Sequence, residues 1–330
     1  MEAAFDMARL AEATVRALGG GPADSLRIEA MAGAGSDRCY WRIFLPDGST
    51  CVVSRHEGRR PENEHFAALA RLLAGRGVRV PAILAEAPDE RLLWVEDLGD
   101  LTLWEFGRRR ELDRASGYRA AVAEAARIHA IDPATLTAEE AAHLQAPFDE
   151  ALYRWEQDYF LDHFGMRHSG RTASEVEAVR NHPAMLGMAA GLAALPRRLV
   201  HRDFQSQNIL MLPDGRAGLV DFQGMRLGRP EYDLASLAHD PYADLDEAGI
   251  EGLLTAYEEF SGHAVDRRIL RVCSLQRLMQ ALGAYANLAD NFGKMRYLEF
   301  MAPACARLRA LLPGSGLEDA LGDLLGGHAP

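Results

Sequence analysis

The sequence predicts an α+β chain of two lobes, a small mixed lobe followed by a larger helical one that carries a β island. Three observations point to this. Short β-branched and aromatic runs cluster before residue 97, helical spacings dominate after residue 98, and residues 198–223 interrupt the helices as strand, loop, strand, turn, strand. The boundary is expected at residues 97–99, where Gly99 permits a hinge, so the lobes cover 1–97 and 98–330. A chain of 330 residues fits two such lobes and can bury a core without disulfide or metal staples.

Residues 1–20 have the spacing of an amphipathic helix and lack the basic region and apolar block of a signal peptide. Residues 39–45 and 50–54 read as strands joined by the turn Pro46-Asp47-Gly48-Ser49. Residues 62–75 place Phe66, Leu69, Leu72 and Leu73 at helical spacing, and Gly77 and Pro81 end that helix. Residues 82–85 and 91–96 read as a second strand pair. A long helix is expected over 118–131, with Tyr118, Val122, Ala125, Ala126 and His129 on one face and Pro133 as its stop. Further helices are expected over 151–164, 253–260, 268–288 and 304–312. Tyr153, Trp155 and Tyr159 make the first of these aromatic-rich, which reads as lobe packing.

Composition narrows the function. Thirty-six basic residues against 48 acidic ones leave a formal net charge of -12, which argues against nucleic-acid binding through a broad basic surface. No apolar run approaches the roughly 18 residues of a membrane span. The four cysteines, Cys39, Cys51, Cys273 and Cys305, form no close pair, as expected of reduced thiols in a cytoplasm.

The chemistry resides in the β island. It reads Leu199-Val200-His201-Arg202-Asp203-Phe204-Gln205-Ser206-Gln207-Asn208, then Gly218-Leu219-Val220-Asp221-Phe222-Gln223. An Asp is followed five residues later by an Asn, and eighteen residues later by a second Asp at the end of an apolar strand. Phosphoryl transfer from a nucleotide needs such a set: one carboxylate for the attacking hydroxyl, and hard oxygens for the magnesium that bridges the phosphates. Asp203 is therefore assigned as the base or hydroxyl-orienting residue, and Asn208 and Asp221 as metal ligands. Taken singly, each also fits a turn residue or helix cap; it is the joint spacing that favours kinase chemistry. His201 is read as a packed, backbone-bonded loop residue. Arg202 fits either solvent or a loop contact.

The stretch His201-Arg202-Asp203-Phe204-Gln205-Ser206-Gln207-Asn208, followed by Asp221-Phe222-Gln223, resembles the aminoglycoside-phosphotransferase-like branch of the protein-kinase-like fold. Gly228-Arg229-Pro230-Glu231-Tyr232-Asp233-Leu234-Ala235 is similar to a second segment of that branch, and implies that Asp233 braces the catalytic loop. Three further stretches resemble the bacterial sugar kinases that phosphorylate N-acetylmuramate and N-acetylglucosamine at the anomeric hydroxyl. They are Gly33 to Arg42, Asp221 to Gly228 with Asp240-Pro241-Tyr242, and Gln276-Arg277 with Leu282-Gly283, Gly293-Lys294 and Arg296-Tyr297-Leu298. Two departures bear on substrate choice: Leu278-Met279-Gln280 stands where that group usually has His-Leu-Lys, and Asn291-Phe292 where it usually has Arg-Asp.

The resemblance implies a two-lobed protein-kinase-like fold, ATP and Mg2+ as cofactors, and a small-molecule sugar as substrate. Gly33, Gly35 and Ser36 would cover the phosphates, since glycine lets backbone N–H groups approach an anion closely. The strand that follows has no Lys, so Arg55, paired by Glu62 or Glu64, is the available phosphate cation. The backbone around Glu96 and Leu98 would meet adenine. Asp240, Tyr242, Arg277, Tyr285 and Arg296 are the acceptor-side candidates. In the resembling group the sugar-1-phosphate passes to a nucleotidyltransferase, which implies a functional link of that kind. Two alternatives stay open: the same fold acting on an aminoglycoside, choline or homoserine, and a non-catalytic binding module. An acceptor pocket with Arg277 or Arg296 pointing inward would favour an acidic sugar.

Overall fold

Alternating side chains build a five-stranded antiparallel sheet of order β1-β2-β3-β5-β4 in the first lobe. Its strands are β1 (Arg27–Met31), β2 (Arg38–Phe44), β3 (Thr50–His56), β4 (Ile83–Ala87) and β5 (Leu92–Glu96). The structure is a computed structural model that describes residues 6–19, 21–31 and 38–325. Gly33, Gly35 and Ser36 lie outside the described residues. The β2–β3 turn closes as the sequence predicts, with Gly48 at φ 85° and the Asp47 carboxylate accepting the Ser49 N–H at 2.9 Å.

Register decides what each face of the sheet meets. Trp41 pairs with Val53 and Val53 with Trp94, so all three share the outer face. There they pack with Leu10 and Ala13 of α1 (Met7–Leu18), and the Trp94 Nε1–H donates to Thr14 Oγ1 at 3.0 Å. Tyr40 pairs with Ser54 and Ser54 with Leu93, which puts these three on the inner face, above the cleft. Under that face runs α2 (Phe66–Gly75).

The second lobe is helical. A capping box of Thr102 and Glu105 starts α3 (Leu103–Arg108), and Asp113 caps α4 (Arg114–Ala130). There follow α5 (Ala138–Ala142), α6 (Glu150–Phe160), α7 (Met166–His168), α8 (Ala173–Arg180) and α9 (Pro183–Ala193). After the β island come α10 (Pro230–Ala238), α11 (Glu247–Ser261), α12 (Arg267–Phe292), α13 (Met301–Leu311) and α14 (Glu318–Leu325). No helix among the described residues is long and apolar enough to cross a membrane.

The island comprises β6 (Arg198–Val200), β7 (Ile209–Met211), β8 (Ala217–Leu219) and β9 (Arg226–Gly228), the last lying beyond the stretch the sequence marked. β6 pairs with β9 and β7 with β8, both antiparallel. The two small ribbons hold the loop 201–208 between them.

The buried apolar residues form two clusters. The smaller is the outer face of the sheet with α1. The larger fills the second lobe and also takes in Leu69, Leu72 and Leu73 of α2. Phe66 of α2 lies 4.6 Å, ring centre to ring centre, from Phe222, the neighbour of Asp221.

At the crossing of α6 and α12 a Cβ on Gly283 would meet Phe160 Cα at 2.9 Å and Phe160 N at 3.0 Å. Backbone atoms cannot swing aside, so the helices must part. Gly283→Ala is expected to destabilise the fold by about 1–3 kcal/mol. Thermal melting by circular dichroism checks this, and an unchanged midpoint would count against the tight crossing.

Candidate active site

Asp203 sits in the loop between β6 and β7, and one buried carboxylate shapes that loop. Asp233 of α10 accepts the backbone N–H of His201 at 2.7 Å and that of Arg202 at 2.9 Å. His129 of α4 bonds the same carboxylate through Nε2 at 3.1 Å and Tyr257 through Nδ1 at 2.9 Å. Arg202 takes φ 79°, a conformation that a non-glycine residue holds only when its surroundings fix it. His201 is fully buried and donates from Nε2 to the Val220 carbonyl at 3.1 Å. That bond staples the catalytic loop to the strand end that delivers Asp221.

The loop turns the Asp203 carboxylate towards two guanidinium groups. Arg202 Nη1 donates to Oδ2 at 2.6 Å, and Arg277 Nη2 of α12 stands 3.5 Å from Oδ1. Burial pushes the Asp203 carboxyl up, but Arg202 and Arg277 together outweigh it and hold it below the usual carboxylate range. The group is therefore ionised at neutral pH, a weak base suited to orienting a hydroxyl and taking its proton late in transfer.

Behind Arg202 lies Glu156 of α6, only 1% exposed, with Oε1 3.9 Å from Arg202 Nη2. It also accepts from the Tyr232 hydroxyl at 2.9 Å and from Gln276 Nε2 at 3.1 Å. Desolvation drives its pKa up, against the pull of Arg202. The sequence offers one signal for this residue, an acid among the apolar positions Tyr153 and Phe160 of one helix face.

Asn208 and Asp221 are brought together by the backbone, since the Val220 N–H donates to the Asn208 carbonyl at 3.0 Å. The Asn208 Nδ2 donates to the Asp203 carbonyl at 3.0 Å, which turns its Oδ1 the other way. Asp221 adopts φ 64°, in the left-handed region that Asp tolerates better than most residues. Its Oδ1 accepts from Gln223 Nε2 at 2.6 Å and from Arg38 Nη2 at 2.5 Å. The Gln223 Oε1 beside it is buried without a hydrogen bond. An amide oxygen, a carboxylate and a further buried amide oxygen are hard donors, a set that fits magnesium. No cluster of three or more His, Cys, Asp or Glu suited to a metal occurs among the described residues.

The nucleotide-side candidates divide. Arg55 pairs in register with Cys39 and Leu92, whose side chains pack with the outer cluster. The pleat thus gives the cleft Ser54 and His56 in place of Arg55, a correction to the expected phosphate cation. Those two line a cavity of about 390 Å³ with Arg38, Tyr40 and Glu64. The cation at the catalytic end of that cavity is Arg38, which the sequence showed only as part of a longer motif. Glu96 and Leu98 line a separate groove of about 610 Å³ with Gly99 and Leu212. Arg79 grips the Glu96 carboxylate at 2.5 and 2.6 Å, and Arg42 ties Asp97 to Asp100 with bonds of 2.6 Å to each. These bonds fix the backbone that joins the lobes.

Of the acceptor-side candidates, Arg277 is the one that ion-pairs with Asp203, at 3.5 Å. Asp240 is 1% exposed and spends its oxygens on the Ser206 N–H at 2.7 Å and the Tyr242 N–H at 3.0 Å. It is a brace of the catalytic loop, a correction to its expected substrate role. Tyr285 is buried and faces, with Asp240, a void of about 10 Å³, enough for about one water. Tyr242 packs on Tyr285 at 5.7 Å and on Phe300 at 4.4 Å. Arg296 is exposed and lies over the Tyr297 ring at 5.1 Å.

Known proteins resemble this chain in sequence and fold. The chain is 28% identical over 283 residues to an N-acetylmuramate/N-acetylglucosamine kinase of Pseudomonas putida, covering 82% of this chain and 79% of that one. It is 27% identical over 318 residues to a protein of the same name from Caulobacter vibrioides, covering 84% and 85%. A spectinomycin phosphotransferase solved with ADP and spectinomycin superposes with a TM-score of 0.63 at 13% identity, covering 96% of this chain and 98% of that one, and so shares the fold. Residues 27–271, which hold the sheet, the catalytic loop and most of its braces, match the phosphotransferase enzyme family. A kinase-like fold with this carboxylate and amide on one loop, and a second carboxylate at the neighbouring strand end, thus makes the chain an enzyme belonging to the phosphotransferase enzyme family.

Proposed function

We propose that the enzyme is a magnesium-dependent kinase of the cytoplasm that transfers the γ-phosphoryl group of ATP to an amino sugar. The acceptor is N-acetylmuramate, N-acetylglucosamine or both, and the anomeric hydroxyl is phosphorylated to give the sugar-1-phosphate. The relatives' names support the sugar, and one observation carries the choice within the fold: the acceptor side of Asp203 holds Arg277 at 3.5 Å, with Arg202 on its other oxygen. Guanidinium groups on both of its oxygens leave Asp203 less free to bind an ammonium, which disfavours a polycationic aminoglycoside or a quaternary amine. They suit a neutral or acidic sugar.

Asp203 orients the acceptor hydroxyl and accepts its proton. Asn208 and Asp221 would hold magnesium, which when bound neutralises charge on the phosphates. Arg38 reaches the same carboxylate from the hairpin side and serves the phosphate oxygens, a task for which a bidentate, permanently charged donor is suited. The product is a substrate for a nucleotidyltransferase, consistent with recycling of cell-wall sugars.

Incubation with MgATP and a panel of amino sugars, followed by phosphorus NMR, tests this reading. A sugar-1-phosphate signal is the expected result. Product only from aminoglycosides or amino alcohols would overturn the acceptor and leave the family. Asp221→Asn should weaken nucleotide binding about 10–100-fold in magnesium and little in EDTA. Equal effects in both would remove Asp221 from the metal.

A further inference from the structure

We propose that Trp155 and Tyr159 form the platform on which the acceptor's pyranose ring stacks. This deepens the sugar-kinase reading and rests on it. The aromatic run on α6 looked from sequence like packing, and the structure divides it. Tyr153 is 1% exposed and stacked on Phe148, whereas Trp155 is 52% exposed. Of the other tryptophans, Trp41 and Trp94 are buried and Trp104 is half-buried.

Trp155 is held in place at its exposed position. Its ring stacks on Tyr159, with centres 5.2 Å apart and planes 17° from parallel. Tyr159 is fixed from α12: Asn287 Nδ2 donates to its hydroxyl at 2.9 Å, and Gly283 leaves the space its ring edge fills. A rigid aromatic face half open to water is an arrangement that packing alone does not require.

Its location points to the acceptor. Glu156, the next residue of the helix, turns inward and reaches Arg202, which bonds Asp203. The helix that carries the platform is thus joined through Arg202 to the carboxylate that is proposed to orient the attacking hydroxyl. Burial raises the Tyr159 phenol pKa, while Asn287, Arg202 and Arg60 pull it back, so cationic groups from both lobes stand near this ring. That neighbourhood is wrong for an aromatic cage around an ammonium, which needs the ring face free of competing cations. A neutral pyranose presents a face of C–H groups to the rings and turns its hydroxyls to the charged groups around them.

The test uses the full-length enzyme with MgATP and whichever amino sugar it phosphorylates. Acrylamide quenching of tryptophan emission should fall when saturating sugar is added, and stay unchanged with ATP alone. In Trp155→Phe the sugar-dependent protection should vanish. Trp155→Ala should raise the sugar KM roughly tenfold, leave the ATP KM unchanged and keep the melting midpoint, with Trp155→Phe in between. If the wild type phosphorylates the sugar while Trp155→Ala keeps its sugar KM, the platform is overturned and the sugar-kinase reading stands. If no amino sugar is turned over, both fall.

Discussion

Asp203→Asn should lower kcat by about 10²–10⁴ while leaving nucleotide affinity nearly unchanged. The amide keeps the size and two polar ends of the side chain, so the loop need not move. What it loses is the charge that two arginines are arranged to meet. In the native enzyme Arg202 donates at 2.6 Å and Arg277 stands at 3.5 Å. In the variant both face a neutral group that cannot take the acceptor's proton. In the proposed kinase the nucleotide is held from the other side of the cleft, so its dissociation constant reports intact folding. Initial rates with a binding titration in magnesium distinguish the two effects. Retention of most of the activity would falsify the role given to Asp203.

Asp233→Ala acts through the loop instead, and its effect is on the fold as well as the rate. Asp233 is wholly buried and accepts from two backbone N–H groups and from His129. Its removal leaves those donors without acceptors in a dry site, where each orphan costs about 1–3 kcal/mol. Loss of a buried charged partner typically costs 3–5 kcal/mol, so the melting temperature should fall by roughly 10 °C. The Arg202 backbone, at φ 79°, loses the bond that fixes it, and Asp203 loses its aim with it. Activity should be largely absent even well below the melting transition. Asp233→Asn keeps one acceptor oxygen and should recover part of the stability. A variant as stable as the native protein would show that the loop is held some other way.

The two-lobed fold was legible because its signals are local. Alternation in β2 and β3, the turn at Gly48 and the periodicity of α2 each need only a few neighbouring residues. Asp203, Asn208 and Asp221 were legible for a related reason, since one loop and one strand end must set their spacing. Their partners were not. Arg38 and Glu156 come from β2 and α6, and nothing near them in sequence says that they converge, whereas Arg277 of α12 was legible only as an acceptor-side candidate. Arg55 shows how strict the pleat is, because one position along β3 changes which side of the sheet a residue serves. Asp240 and Tyr285 are polar groups on buried segments, and sequence cannot say whether such a group faces a cleft or a sealed void. In α10 the segment from Gly228 read as a motif, although Pro230 at its first turn is a helix start signal. β9 escaped because three residues carry too little alternation to show.

The position of α2 has a mechanical consequence. By covalent order this helix belongs among the strands, yet its apolar side chains are sunk in the cluster of the second lobe. The part able to rock is then the sheet with α1 alone, joined to the rest by three crossings of the chain near residues 57–65, 81–82 and 97–101. The first carries Gly58 at φ 76° and the last Gly99 at φ 84°. Lifting such a lid would break the ion pairs of Arg38 with Asp221, of Arg79 with Glu96 and of Arg71 with Glu86. Asp203, Asn208 and the Phe66–Phe222 contact remain seated on the base, so in the proposed kinase nucleotide can come and go without the reacting groups being reassembled at each turnover.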